Sequence, residues 1–172
     1  MATEKLNEEI SLQSATSRYD VFLSHSTRDA EIVLGVKEVL VRQGKTVYID
    51  WVEDRGLDRT NVTPATAATL RRRMEQCSSL LYVHTENSGG SKWMPWELGY
   101  FDGHNGAVAI FPVTRVQQDD FKGQEYLGLY PYVDKALATS FTTPPIRVRK
   151  KTGETRDWLS WTASPGTFRV TA

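Results

Sequence analysis

Cysteine occurs once in the 172 residues, at Cys77, so no disulfide can form within the chain. That economy fits a reducing, cytoplasmic setting. No stretch of about 18 consecutive apolar residues exists, which removes a membrane-spanning helix. Met1 to Ile10 alternates charged and polar residues and lacks the apolar core of a secretory signal. Neither sign of charge is in excess, with Lys+Arg and Asp+Glu both at 21. The simplest argument for nucleic acid or an anionic membrane as partner is therefore missing, and neither is expected. The three histidines, His25, His84 and His104, are scattered and far from the lone cysteine. No metal site is expected from that spacing. Gly89-Gly90 precedes a helical pattern but matches neither a dinucleotide fingerprint nor a Walker loop.

What remains is the composition of an ordinary globular chain, 40% hydrophobic and 24% charged. The length suits one domain with a real core. Residues 1–17 read as a polar N-terminal tail. Tyr19 to Ser24 then reads as a buried strand, rich in aromatic and β-branched residues. From Arg28 to Arg42, Ile32, Val33, Val36, Val39 and Leu40 keep the helical period, and Gly44 is a helix stop. Thr46 to Asp50 is a second short strand, followed by a polar segment from Trp51 to Val62. Thr63-Pro64 has the form of an N-cap with proline at the first helical position. Ala67, Leu70, Met74 and Cys77 continue as one face of that helix.

Ser79 to His84 reads as a third strand and Ala107 to Thr114 as a fourth, with a helix between them that starts after Ser91 and ends near Gly103. A fifth strand is expected near Leu129 to Val133. Pro144 to Trp161 has the pattern of a hairpin, with a turn at Thr152-Gly153-Glu154. Strand and helix alternating at short intervals specify an α/β protein, a parallel sheet covered on both faces. Such sheets bind ligands at the carboxyl ends of their strands. Ser24, Asp50 and His84 would line that edge, and the helix after Ser91 begins there. Arg71 to Arg73 and Arg147 to Lys151 read as solvated faces.

That helix carries the segment with the most chemistry, Ser91-Lys92-Trp93-Met94-Pro95-Trp96-Glu97-Leu98-Gly99. Helical spacing puts Trp93 and Glu97 on one face, one turn apart, with Trp96 beside them. An acid among rings is poorly hydrated and costs stability unless it is paired. Active sites accept such a cost, because a carboxylate in a dry cleft interacts strongly with developing positive charge. The competing reading is a helix whose tryptophans enter the core while Glu97 faces water. Other edge residues are equally two-sided: Phe22 suits core packing or nucleotide stacking, Ser24 suits a ligand or a cap, and Asp50 suits a ribose contact or a turn. His25 reads as a loop residue.

The order Tyr19-Asp20-Val21-Phe22-Leu23-Ser24-His25, Val47-Tyr48-Ile49-Asp50, Leu80-Leu81-Tyr82-Val83, then Ser91-Lys92-Trp93 with Glu97 resembles a TIR (Toll/interleukin-1 receptor) domain. The likeness runs from Arg18 to Asp134 and is nearest to the stand-alone bacterial TIR proteins of Thoeris-type antiphage defence. It implies a flavodoxin-like three-layer fold and a TIR domain over 18–140, which leaves a C-terminal extension over 141–172 whose hairpin pattern is expected to pack on the domain.

In the enzymatic branch of that family, the resemblance implies cleavage of the nicotinamide–ribose bond of NAD+. Glu97 matches the catalytic glutamate and Trp93 the aromatic residue one turn before it. Phe22 and Ser24 match the strand end where the nucleotide lies, and Asp50, Trp51 and Trp96 join them as substrate-binding candidates. Asp50 and Trp51 open the family's BB loop, and the segment Glu53 to Asn61 departs from its usual pattern. NAD+ is then a substrate and no cofactor is expected. Products would be nicotinamide and ADP-ribose, cyclic if a hydroxyl of the same molecule attacks and linear if water does. The implied partners are other TIR domains, through self-association, and an effector protein reached through the diffusible nucleotide. Two rivals stand beside this reading: a non-enzymatic TIR–TIR interaction module, and a nucleoside-processing enzyme of related architecture.

Overall fold

The computed structural model describes residues 17–114, 125–135 and 145–168. The N-terminal tail expected over 1–17 lies, but for Ser17, outside them. The elements follow in chain order as β1 (Tyr19–Ser24), α1 (Ala30–Arg42), β2 (Val47–Tyr48), α2 (Asp50–Glu53), α3 (Pro64–Glu75) and β3 (Cys77–His84). After them come α4 (Trp93–His104), β4 (Val108–Pro112), β5 (Tyr132–Lys135), β6 (Ile146–Arg149), β7 (Thr155–Asp157) and α5 (Trp158–Ala163). The described strands form one sheet in the order β2-β1-β3-β4-β5-β6-β7. Pairing is parallel from β2 through β5 and antiparallel from β5 to β7.

Burial explains the strands. In β3, Leu80, Leu81, Tyr82 and Val83 are all fully buried, the continuous apolar run expected of a central parallel strand covered on both faces. Val33, Val36 and Leu40 turn α1 onto the sheet, whereas Ile32 lies outside that stripe and is exposed. Gly44, at φ 72°, ends α1: the Gly44 N–H bonds Val41 O (2.9 Å) and the Lys45 N–H bonds Leu40 O (3.1 Å), a Schellman motif. Thr63 caps α3 by accepting the Thr66 N–H (3.1 Å), with Pro64 at the first helical position.

Three boundaries differ from the sequence expectation. Cys77 opens β3 instead of closing the α3 face, and burial holds its thiol well above the usual range. Asp50 leaves the β2 extension because its Oδ1 accepts the Trp51 backbone N–H (2.9 Å), which starts a helical turn. The fifth strand begins at Tyr132, while Glu125–Leu129 forms a 3-10 turn that buries Leu127. Pro131 supplies no N–H for a ladder, although its carbonyl accepts from Ile110 (2.9 Å).

The β6–β7 hairpin extends the sheet, with Gly153 at φ 92° in its turn. Asp157 then caps α5 by accepting the Ser160 N–H (3.0 Å), and α5 lays Trp158 and Trp161 into the core.

Arg73 is the clearest departure from its sequence reading. It is 3% exposed, buried rather than solvated. Its Nη2 and Nε donate to Asp54 Oδ1 (2.6 Å) and Oδ2 (2.7 Å), and Tyr48 Oη donates to the same Oδ2 (2.7 Å). Burial alone would raise the Asp54 carboxyl, but the bonds from Arg73 and Tyr48 outweigh it and hold it below the usual range. A depressed folded-state value gives stability that is present above the unfolded value, near about pH 4, and lost as pH falls through the folded one. Asp54→Asn is therefore expected to flatten the acid limb of a stability–pH curve below about pH 4, read by urea midpoints.

Candidate functional site

The carboxyl ends of β1 and β3, the start of α2 and the first turns of α4 converge on one point. Lys92 precedes the first helical residue, Trp93, and Ser91 Oγ accepts the Met94 N–H (3.3 Å). Pro95 falls in the first turn, where its missing N–H has no intrahelical partner to lose. Glu97 follows one turn later with no exposure at all. An acid so placed must be paired, and both oxygens are: Oε2 accepts from Ser24 Oγ (2.5 Å) and Oε1 from Arg59 Nη2 (2.7 Å).

Arg59 is the residue the sequence reading did not single out. It lies in the polar segment after α2, 38 residues from Glu97, without periodicity to mark it. Its side chain is 7% exposed, and Nη1 lies 2.9 Å from Asp50 Oδ2. Burial opposes the guanidinium charge, but Glu97 and Asp50 more than compensate and hold it firmly protonated. Beyond that ion pair, Asp50 Oδ2 and Arg59 Nε have no hydrogen-bond partner among the described residues. Trp93 Nε1 donates to the Arg59 carbonyl (2.8 Å), tying the segment down over the site.

Asp50, 3% exposed, also faces His25: Oδ1 lies 3.5 Å from Nε2. His25 Nδ1 is 2.7 Å from Leu23 O, and since a carbonyl only accepts, Nδ1 carries the proton. Nε2 is left as the acceptor and takes the Trp51 Nε1–H (3.1 Å). Ser24, the last residue of β1, thus holds the Glu97 carboxylate, and the His25 ring that follows it lies beside the Asp50 carboxylate. His84, at the end of β3, sits 3.2 Å from Ser88 Oγ, and burial lowers its basicity.

Comparison with known proteins places the chain in a family. The TIR domain family matches residues 21–142. The chain belongs to that family. A Bacillus cereus (strain MSX-D12) TIR relative, named probable 3′ cyclic ADP-D-ribose synthase ThsB′, is 50% identical over 145 residues, covering 82% of this chain and 75% of the relative. A second, from Cytobacillus dafuensis and named putative cyclic ADP-D-ribose synthase TIR2, is 35% identical over 83 residues, 48% of this chain and 22% of that protein. The solved TIR domain of the Toll-related receptor TRR-2 of Hydra magnipapillata has a TM-score of 0.45 at 16% identity, covering 60% of this chain and 76% of that one.

Within this TIR domain the named candidates separate. Glu97, Asp50 and Trp93 contact Arg59 directly, and Ser24 and Trp51 bond to Glu97 and Asp50. Trp96 faces another way: its ring meets Trp93 edge-on (5.4 Å), stacks on Tyr100 (5.9 Å) and lies under Arg71 (5.5 Å), against α3. Phe22 shares the Ser24 face of β1 but packs two residues deeper, stacked on Tyr48 at 5.2 Å and 2% exposed. Among the described residues, no group of three or more His, Cys, Asp or Glu is placed to hold a metal, and no helix is long and apolar enough to cross a membrane.

Proposed function

We propose that this TIR domain cleaves the nicotinamide–ribose bond of NAD+ and closes the remaining ADP-ribose into a cyclic signal in bacterial antiphage defence. The observation that carries the reading is Glu97, a wholly buried carboxylate already holding a cation at 2.7 Å. A site built around one planar cation suits another: the ribosyl cation left when nicotinamide departs. Two relatives named as cyclic ADP-D-ribose synthases support the same product class here, and the 50% identical one is named for a 3′ cyclic product.

Nicotinamide takes the C–N bonding pair and leaves as a neutral molecule, so it needs no general acid. The positive charge passes to the ribose carbon and ring oxygen, as in other glycosidic cleavages. Glu97 stabilises that charge, an effect worth about 3 kcal/mol or more in a dry site. Ser24 holds the carboxylate in place, and Trp93 walls the ribose from water. NAD+ serves as the substrate, and no further cofactor enters the chemistry. Self-association through TIR–TIR contacts, a cytoplasmic setting and an effector that reads the diffusible product complete the proposal. Nicotinamide release by concentrated, crowded protein, present in the wild type and lost in Glu97→Ala, tests it. An interaction module would leave NAD+ intact in both.

Arg59 sets the order of events. Its guanidinium stands where the substrate's cation must form, and a like charge there cancels what Glu97 supplies. Turnover therefore requires Arg59 to withdraw, with the segment that Trp93 ties down. Arg59→Ala is expected to raise turnover of NAD+ by dilute protein about tenfold, because the competent state no longer competes with the ion pair. Its thermal stability falls, since two buried carboxylates lose their shared partner. A drop in turnover with a raised KM would instead assign the guanidinium to substrate binding.

A further inference from the structure

Glu97 accounts for the cleavage step but leaves ring closure without a proton acceptor. A hydroxyl that attacks the ribosyl cation must lose its proton. Attacking water can hand its proton to neighbouring water. A hydroxyl enclosed in a dry site has no such exit and needs a base within reach. Glu97 is poorly suited to that task while it faces the cation and accepts from Ser24.

Asp50 meets the requirement. It is 3% exposed, and Arg59 spans the gap between it and Glu97, with one nitrogen 2.9 Å from Asp50 Oδ2 and the other 2.7 Å from Glu97 Oε1. The two carboxylates therefore flank a space that holds one planar cation. In glycosidic chemistry such a pair divides the work, one acid meeting the cation and the other taking the nucleophile's proton. Asp50 Oδ1 is occupied by the Trp51 N–H, whereas Oδ2 is buried and has no hydrogen bond among the described residues. That oxygen, which faces Arg59, is the one turned to the shared space, and withdrawal of Arg59 uncovers it.

Behind Asp50 stands a second acceptor. The His25 ring is 1% exposed, with its proton on Nδ1 and its basic Nε2 3.5 Å from Asp50 Oδ1. The Trp51 indole now occupies Nε2, but Trp51 is 39% exposed and can lift away without repacking the core.

We propose that Asp50 is a second catalytic residue, the base for the hydroxyl that closes the ring, and that His25 is its onward proton acceptor. The inference rests on the NAD+ cleavage reading. The hydroxyl oxygen bonds to the ribose carbon that nicotinamide has left, and its O–H bond breaks toward Asp50 Oδ2. The carboxyl turns about its side-chain bond and passes the proton to His25 Nε2, and from there it reaches solvent. One NAD+ yields one cyclic ADP-ribose, one nicotinamide and one proton.

The test separates two readouts on the full chain given NAD+: nicotinamide released, and the ratio of cyclic product to ADP-ribose, both by mass spectrometry. Asp50→Asn keeps the shape and the acceptor for the Trp51 N–H but cannot take a proton. It is expected to slow nicotinamide release by no more than about tenfold and to cut the cyclic-to-linear ratio about 100-fold. His25→Gln shifts the ratio the same way by less. A folded Asp50→Asn that releases nicotinamide with an unchanged ratio overturns the proposal. So does one that releases none, which moves Asp50 to the cleavage step. If Asp50→Asn does not fold, an unchanged ratio in His25→Gln overturns it. A wild type that releases nicotinamide but forms only ADP-ribose removes the base and leaves the cleavage reading standing. A wild type that releases none removes the cleavage reading itself.

Discussion

Glu97→Gln is expected to lower nicotinamide release from NAD+ by about 100- to 1,000-fold, the loss seen when one preorganised electrostatic contact to a transition state is removed. The loss should fall on kcat, because the ribosyl cation exists only after nicotinamide begins to leave, while NAD+ binding draws on other contacts. Glutamine keeps the size of the side chain and an oxygen for the Ser24 hydroxyl, so the shape of the site survives. What it removes is charge. Arg59 then has Asp50 alone as a charged partner, and a buried guanidinium short of one carboxylate costs stability. A modest fall in thermal midpoint should accompany the large fall in rate. Steady-state kinetics beside a melting curve would show both. Near-normal kcat with a raised KM would mean that Glu97 binds NAD+ without acting on its cleavage.

Arg73→Ala carries the largest expected effect on stability. The side chain is 4% exposed, gives two hydrogen bonds to Asp54, and lies with its charge 5.6 Å from the centre of the Tyr48 ring. Removing it leaves a carboxylate at 19% exposure that still accepts from the Tyr48 hydroxyl but has lost its charged partner. Breaking a buried pair from one side costs about 3–5 kcal/mol, and the partial exposure of Asp54 points to the lower end. For a chain of this size, about 3 kcal/mol lowers the melting midpoint by roughly 6–12 °C. The urea midpoint should fall with an unchanged slope, since the surface exposed on unfolding hardly changes. A shift below about 1 kcal/mol would show that the pair is held no better than a surface ion pair.

The same pair bears on function through the chain. Asp54 is the C-cap of α2, four residues after Asp50 and five before Arg59. The segment that brings Arg59 to Glu97 is thus fastened at one end by Asp54–Arg73 and at the other by the Trp93 bond to the Arg59 carbonyl (2.8 Å). The Arg73 anchor lies outside the reacting cluster, and the Trp93 anchor is part of its wall. Withdrawal of Arg59 can break the second while keeping the first, a hinge that leaves Asp50 in place.

Local chemistry alone determined a great deal about this protein. Alternating apolar runs and helical periods specify the strands and helices of a parallel sheet, because each depends on neighbours a few residues away. The Trp93–Glu97 spacing marks the candidate site for the same reason: one helical turn brings the two together wherever the helix goes. Thr63-Pro64 and Gly44 punctuate their helices through bonds closed within a few residues.

Only the tertiary structure decided which partners meet. Ser24 is 73 residues from Glu97 and Arg59 is 38, and Arg59 sits in a polar segment with no period to read. Arg73 belongs to a run of three arginines that reads as solvated, yet α3 turns it inward onto Asp54, 19 residues away. A charged side chain in a sequence looks equally ready for water or for a buried partner. The choice rests on whether another chain segment brings an opposite charge to it. Folding brought one cation to two carboxylates at the edge of the sheet, and that meeting is what makes Glu97 the candidate for the reaction.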